Sequence, residues 1–122
     1  MIQEAYVSFE VAKLLKEKGF NEPIRCWYDN FQDFHEEGVR MSNSDCLPPT
    51  IMCPTQAMAM AWFRKVHNIS IEPFIDWGSG DEYWWTVDIG RIKKNGLIAE
   101  LSGCESYEDA VEAALKYCLE II

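Results

Sequence analysis

The last seventeen residues of the chain, 106–122, carry a single apolar stripe at helical spacing, and this stripe constrains the fold more than any other feature. Ser106 can accept a hydrogen bond from the backbone N–H three residues on, as residues at a helix N-cap do. Glu108 and Asp109 follow in the first turn, where the helix dipole favours negative charge. The stripe recurs at positions i, i+3, i+4 and i+7 and consists of Tyr107, Ala110, Val111, Ala114, Leu115, Cys118, Leu119 and Ile122. A helix of this kind needs a partner surface, which the rest of the chain must supply.

Two further amphipathic helices are predicted nearer the N-terminus. The first begins with Ser8 as its N-cap and stops at Gly19, which can take the left-handed conformation that ends many helices. The second begins with Thr55 as its N-cap and ends at Asn68. Each has one apolar side, so each is expected to pack against the same core.

Four segments are rich in β-favouring residues and are typical of strands: 24–28, 69–75, 82–89 and 97–101. Pro73 places the second of them at a sheet edge or at a bulge. A glycine-rich turn at 76–81 predicts a hairpin between the second and third strands. Asn95–Gly96 suits the positive φ angles of a type I′ turn before the fourth.

The order of these elements is α-β-(long connection)-α-β-β-β-α. It predicts an α+β fold, in which an antiparallel sheet of three to four strands carries about three helices packed mainly on one face. A chain of 122 residues predicts a single globular domain over residues 1–122. Within it, residues 29–53 show no periodicity and many turn-forming residues, so they are expected to form a long irregular segment.

The chain is acidic, with 11 Lys+Arg against 20 Asp+Glu and a formal net charge of −9. Nucleic acids and anionic membranes repel such a chain, so neither is an expected partner. The five cysteines are an odd number and include no C-x-x-C pair, which favours reduced thiols. No secretory signal pattern opens the sequence, and a cytoplasmic location is therefore expected.

Alternation along the strands divides the side chains of the predicted sheet between two faces. The isoleucines of segment 69–75 share a face with alternate residues of 82–89 and would meet the helices. The opposite face collects three large aromatic residues, Trp27, Phe74 and Trp84, which form the candidate binding surface because aromatic side chains dominate interaction hot spots. The alternative is that residues 29–53 fold across this face and bury it, which the rarity of large exposed apolar patches on monomers favours.

The sequence contains no recognisable catalytic or cofactor motif. The candidate zinc ligands match no known ligand spacing; they are Cys26, His35, Cys46 and Cys53. The acidic turn at 76–82 lacks the calcium-loop pattern. Cys118 lies on the apolar stripe of the last helix, where a buried, inert thiol is expected. We therefore expect a protein that is not an enzyme and that has no catalytic residue, metal or cofactor.

Two segments together resemble a known group of proteins. The segment CPTQAMAMAWFRKVHNI at 53–69 opens a helix with Pro54–Thr55 and carries Trp62, and SYEDAVEAAL at 106–115 begins the closing helix. This combination resembles small proteins of unknown function encoded by phages, prophages and other mobile elements of gut anaerobes. The resemblance includes the helix at 8–20 and leaves out residues 29–53. It implies the fold and identifies no catalytic residue.

These features predict a small, acidic, non-enzymatic accessory protein of the phage or mobile-element kind that binds another protein. A homodimer through the aromatic sheet face is one form that this interaction could take. A first alternative is a small-ligand-binding protein or enzyme with a pocket between residues 29–53 and the sheet, using His35, Cys46 or Asp88. A second is an acidic mimic of DNA that inhibits a DNA-binding protein.

Overall fold

The computed structural model describes residues 2–36, 38–94 and 96–122, and these residues form the predicted α+β fold. The helices are α1 (Phe9–Glu17), α2 (Gln56–Val66) and α3 (Tyr107–Ile121), with a short 3-10 helix at Asn43–Asp45; the strands are β1 (Trp27–Tyr28), β2 (Phe34–His35), β3 (Ile51–Met52), β4 (Ile69–Trp77), β5 (Tyr83–Arg91) and β6 (Gly96–Cys104). The chain divides into two compact units, Met1–Met58 and Ala59–Ile122. Where one sheet is predicted, the described residues form two three-stranded sheets, one in each unit.

The sheet of the C-terminal unit has the antiparallel order β4-β5-β6. Pro73 pairs with Val87, so their side chains share one face of the sheet. On this face Val87 and Ile89 are fully buried. Helix α3 contacts all three strands. The ring of Tyr107 meets that of Trp85 edge to face, with 5.6 Å between centroids. Helix α3 therefore covers the face that strand alternation predicts, which we call the inner face.

The apolar stripe of α3 supplies the helix side of this core. Six of its predicted members are buried: Ala110, Val111, Ala114, Leu115, Cys118 and Leu119. Complete burial of a leucine or valine side chain contributes about 1.5–3 kcal/mol. The stripe therefore contributes much of the stability of this unit, and the prediction that it packs on a sheet is confirmed.

The start and end signals of the helices are also confirmed. At each N-terminus a hydroxyl oxygen accepts a hydrogen bond from the backbone N–H three residues on: Ser8 from Val11 at 3.2 Å, Thr55 from Met58 at 3.1 Å and Ser106 from Asp109 at 3.0 Å. Gly19 follows α1 with φ +95°, and Asn68 follows α2 with φ 54°. Both take the left-handed conformation that closes a helix, which glycine and asparagine tolerate best.

The N-terminal unit contains the smaller sheet, of order β2-β1-β3. Trp27 of β1 pairs with His35 of β2 on one side and with Met52 of β3 on the other. Two of these strands come from residues 29–53, where a long irregular segment is predicted. Each strand is only two residues long, and a repeat of period two cannot show in so short a run. Apart from the short 3-10 helix at Asn43–Asp45, the other described residues of this segment form irregular connections.

Buried hydrogen bonds hold the connections of the N-terminal unit in place. Asn43 is buried; its side-chain amide donates to the Phe20 carbonyl at 2.8 Å, and its amide oxygen accepts from the Met52 N–H at 3.0 Å. The Tyr28 hydroxyl donates to the Val7 carbonyl at 2.8 Å. These bonds give backbone groups outside regular structure the partners that burial demands. Asn43 is thereby joined to Phe20 and Met52 within the N-terminal unit.

The prediction that Trp27 shares a sheet face with Phe74 and Trp84 is wrong. Trp27 lies in the β2-β1-β3 sheet, whereas Phe74 and Trp84 lie in the β4-β5-β6 sheet. The physical reason is that β1 finds both of its partners within residues 29–53. The predicted type I′ turn at Asn95–Gly96 depends on Asn95, which lies outside the described residues. No helix among the described residues is both long and apolar enough to cross a lipid bilayer.

The cap of α3 gives a direct test of its role in stability. Substitution Ser106→Ala removes the acceptor for the Asp109 N–H and is expected to lower the free energy of unfolding by about 1 kcal/mol. Ser106→Asp keeps an acceptor at the same position and should preserve stability. Urea denaturation followed by circular dichroism measures both. Equal losses in the two variants would contradict a capping role.

Candidate functional site

The face of the β4-β5-β6 sheet that lies opposite α3 carries the first candidate site, and we call it the outer face. The register places the following residues on it in cross-strand pairs: Glu72 with Asp88, Phe74 with Thr86, and Asp76 with Trp84. On the other side of Asp88 lies Glu100 of β6. Phe74 is 37% exposed, and Trp84 is half-buried. The predicted positions of Phe74 and Trp84 on one face are thus confirmed.

The outer face is acidic as well as aromatic. Glu72, Asp88 and Glu100 form a row across all three strands, with neighbours about 5 Å apart along it. These paired positions include no lysine or arginine. Glu72 and Glu100 were not predicted as site residues, and Asp76 was considered only as part of the acidic turn. Strand parity could have found Glu72, because it alternates with Phe74 along β4.

The carboxylates of Asp88 and Glu100 are close enough to share a proton. A hydrogen bond with Asp88, reinforced by the charges of Asp88 and Asp76, raises the pKa of Glu100 above its ordinary value. One carboxylate oxygen of Asp88, Oδ1, is buried and has no hydrogen-bond partner among the described residues. Two adjacent carboxylates without a cation create a region of negative potential on this face.

A buried hydroxyl holds the centre of the outer face. Thr86 is fully buried, and its Oγ1 donates to Asp76 Oδ2 at 2.7 Å. Thr86 Oγ1 also lies 3.1 Å from the Ser102 hydroxyl. This chain of hydrogen bonds links all three strands through their side chains. It fixes the Asp76 carboxylate beside Trp84 and makes this part of the face rigid.

Gly78 allows the end of the hairpin to close over Trp84. A Cβ atom at this position would lie 2.9 Å from both Glu82 Oε2 and the ring of Trp84, which is closer than side chains tolerate. The absence of a side chain therefore lets Glu82 and Trp84 pack against the turn. Beyond them, Trp77 and Tyr83 are exposed at 74% and 60%, with ring centroids 6.2 Å apart.

The N-terminal unit holds a second candidate site around Trp27. The indole of Trp27 stacks on the imidazole of His35, with 4.0 Å between centroids and 13° between planes. His35 Nε2 lies 2.8 Å from Asp29 Oδ2. Asp29 Oδ1 accepts hydrogen bonds from the backbone N–H groups of Phe31 and Asp33. The hydrogen bond with His35, together with these two, holds the pKa of Asp29 below its ordinary value.

A groove of about 740 Å³ opens beside Trp27. Its lining is mainly apolar and rich in sulfur: Trp27, Gly38, Val39, Met41, Asp45, Cys46, Leu47, Thr50 and Met52. Val39 and Leu47 are 75% and 82% exposed. All the lining residues belong to the N-terminal unit. The volume lies in the range of small-molecule sites in proteins.

The three polar residues of the enzyme alternative are divided between the two units. Cys46 lines the Trp27 groove, His35 lies behind Trp27, and Asp88 belongs to the C-terminal unit. The Cys46 thiol donates to the Ser42 carbonyl at 3.3 Å, and burial raises its pKa. A thiol in this state is a poor nucleophile.

The other thiols give no support to nucleophilic chemistry. All five cysteines are free, and Cys26, Cys53 and Cys118 are buried. Burial raises the pKa of Cys118 to about 12, so this thiol stays protonated at neutral pH. The described residues contain no cluster of three or more His, Cys, Asp or Glu side chains that could hold a metal ion.

Comparisons with models of known protein families, with curated proteins and with solved structures give no match. The resemblance to phage and mobile-element proteins therefore stays a prediction. The inference of function depends on the two candidate sites.

The pair formed by Asp88 and Glu100 predicts a pH-dependent stability. The pKa of Glu100 is higher in the folded chain than in the unfolded chain, so the folded state binds its proton more tightly. The stability that this proton provides is present at low pH and is lost as the pH rises through the raised pKa. Substitution Glu100→Gln removes the repulsion and should raise the melting temperature near neutral pH. The gain should vanish at about pH 3, where model carboxyl groups are protonated.

Glu120→Gln serves as the matched control, because Glu120 is an exposed carboxylate on α3. Thermal unfolding of the parent and of both variants at the two pH values gives the comparison. If Glu100→Gln and Glu120→Gln behave alike at both, the two carboxyl groups of the outer face do not interact.

Proposed function

We propose that this chain is a non-enzymatic binding protein whose outer sheet face takes a basic, partly apolar segment of another protein. The observation that carries the proposal is the carboxyl pair of Asp88 and Glu100, with which no described residue forms a salt bridge and which lies on the same face as Phe74 and Trp84. The proposal also places the chain in the cytoplasm, as an accessory protein of the phage or mobile-element kind.

The charge of the face supports a basic partner. An arginine or lysine placed beside Asp88 and Glu100 would relieve their repulsion and supply hydrogen-bond donors to the exposed Glu100 carboxylate. The ring face of Phe74, which pairs with Thr86 two residues from Asp88, can receive the aliphatic part of the same side chain. The ring of Trp84 lies four residues from Asp88 along β5 and can receive a second apolar or cationic side chain of the segment. The rigid centre at Thr86 reduces the ordering that binding requires.

The same charges disfavour two other partners. In a symmetric dimer through the outer face, carboxylates of one copy would meet carboxylates of the other, and like charges at an interface cost affinity. We therefore propose a monomer as the binding-competent form. Nucleic acid and anionic membranes are disfavoured for the same reason. A DNA mimic needs an extended line of charges, whereas the row from Glu72 to Glu100 is only three residues wide.

A short synthetic peptide of alternating arginine and leucine tests the proposal. It should bind the parent protein in a titration followed by fluorescence anisotropy, with an affinity that falls as salt screens the charges. A peptide of the same length with glutamate in place of arginine should not bind. Trp84→Ala, and separately the double variant Asp88→Asn with Glu100→Gln, should each weaken binding of the basic peptide about tenfold, which corresponds to about 1.4 kcal/mol.

Matched controls separate this face from the overall negative charge. Glu120→Gln and Trp77→Ala change an exposed carboxylate and an exposed indole away from the outer face and should leave the affinity unchanged. If Trp84→Ala does not fold, Phe74→Ser replaces it, because Phe74 is partly exposed. Equal binding of the two peptides, or equal losses in outer-face and control variants, would contradict the proposal. A dimer by light scattering that Trp84→Ser converts to a monomer would favour self-association instead.

A further inference from the structure

We infer that the groove beside Trp27 is a binding site for a small planar aromatic molecule that carries a positive charge. This site is separate from the outer sheet face, because all of its residues belong to the N-terminal unit. Its features are an indole held in a fixed orientation, a lining rich in sulfur and, among the described lining residues, a single charged side chain, Asp45.

The indole of Trp27 is held in place by His35, which stacks on one of its faces. The imidazole of His35 stacks on Trp27 at 4.0 Å, and Asp29 binds that imidazole at 2.8 Å. Asp29 is itself fixed by the backbone N–H groups of Phe31 and Asp33. The indole is therefore oriented before any ligand arrives, and a preorganised surface loses little conformational freedom on binding.

The lining favours a flat aromatic occupant over an aliphatic one. An aromatic ring that lies parallel to Trp27 would extend the existing stack with His35. Met41, Met52 and Cys46 also line the groove, and the Cys46 Sγ lies 3.3 Å from the Met52 Sδ. Polarizable sulfur atoms make favourable contacts with aromatic rings and adapt to their shape. At about 740 Å³ the groove holds a molecule of two or three fused rings with space to spare.

The charge of the occupant follows from Asp45. Among the described residues that line the groove it is the only charged one, and its Oδ2 accepts a hydrogen bond from the Ser42 hydroxyl at 2.9 Å. The nearby Lys16 ammonium donates a hydrogen bond to the Thr50 carbonyl at 3.2 Å. A cationic group on the ligand would be attracted to this carboxylate, whereas an anionic group would be repelled. Val39 and Leu47 border the groove with most of their surface exposed. A bound molecule would cover part of this apolar surface.

Proflavine, a planar cation of three fused rings, is the probe for this inference. We expect it to bind one molecule per chain, with a change in its fluorescence. Naphthalene-2-sulfonate, a planar anion, and amantadine, a cation without an aromatic ring, should bind at least about tenfold more weakly. Trp27→Leu should weaken proflavine binding by about fivefold or more, as loss of one stacking partner does. Asp45→Asn should reduce the preference for the cation over the anion.

Two further measurements keep the inference falsifiable if Trp27→Leu does not fold. In the unaltered protein, nuclear Overhauser contacts should join proflavine ring protons to the methyl groups of Met41 and Met52. The highly exposed Leu47 can be replaced by serine with little risk to the fold, and Leu47→Ser should weaken binding. Contacts only to other methionines, or binding that neither Trp27→Leu nor Leu47→Ser alters, would overturn the inference.

A variant in each site distinguishes this inference from the proposed function. Trp84→Ala should leave proflavine binding unchanged while it weakens binding of the arginine–leucine peptide. Trp27→Leu should do the reverse. Loss of proflavine binding in the Asp88→Asn and Glu100→Gln double variant would show that the dye binds the acidic outer face, and would overturn the inference. Binding of the basic peptide that depends on Trp27 rather than Trp84 would do the same, because the groove would then hold a protein segment.

Discussion

The packing of α3 on the inner face of the β4-β5-β6 sheet determines which side chains of this protein are left for binding. Neighbouring residues along a strand point to opposite faces, so the burial of Val87 and Ile89 under α3 leaves Asp88 on the other side. A shift of one residue would reverse every assignment. The hydrophobic core and the acidic outer face are therefore two results of a single register.

The outer face tolerates a buried polar side chain at its centre because the hydrogen bonds of that side chain are formed within the sheet. Thr86 gives up contact with water and gains hydrogen bonds to Asp76 and Ser102. Asp88 and Glu100 have no such neighbour, and the interaction between them raises the pKa of Glu100. Thr86 therefore has a structural role, whereas the pair of Asp88 and Glu100 is left with like charges side by side. These like charges are the reason that we place the partner's cation beside Asp88.

Local signals made the larger elements of the fold predictable. The stripe of α3, the serine and threonine caps, and the alternation in β4 and β5 each lie within one continuous segment, where periodicity is visible. The position of Glu100 opposite Asp88 was not predictable in this way. The pairing of β5 with β6 contains two register shifts, so the partner of each residue cannot be counted from the turn.

The N-terminal unit shows the opposite relation between sequence and structure. Its strands are two residues long, and its order depends on side chains such as Asn43 that reach distant backbone groups. Such contacts have no period. The role of Trp27 as a candidate binding residue stays a prediction, whereas the sheet face predicted for it is wrong. The stacked His35 and the sulfur-rich groove come from the segment that appeared irregular in sequence.

Pro73 has a consequence for how this protein can assemble. It lies in β4, an edge strand, and proline offers no N–H to a further strand. The opposite edge, β6, is bent by its register shifts and by Gly103 at φ +76°. Neither border of the sheet is a straight template for added backbone. Addition of strands that would extend the sheet into fibres or into two-chain sheets is therefore hindered at both edges. Recognition of a partner then depends on side chains.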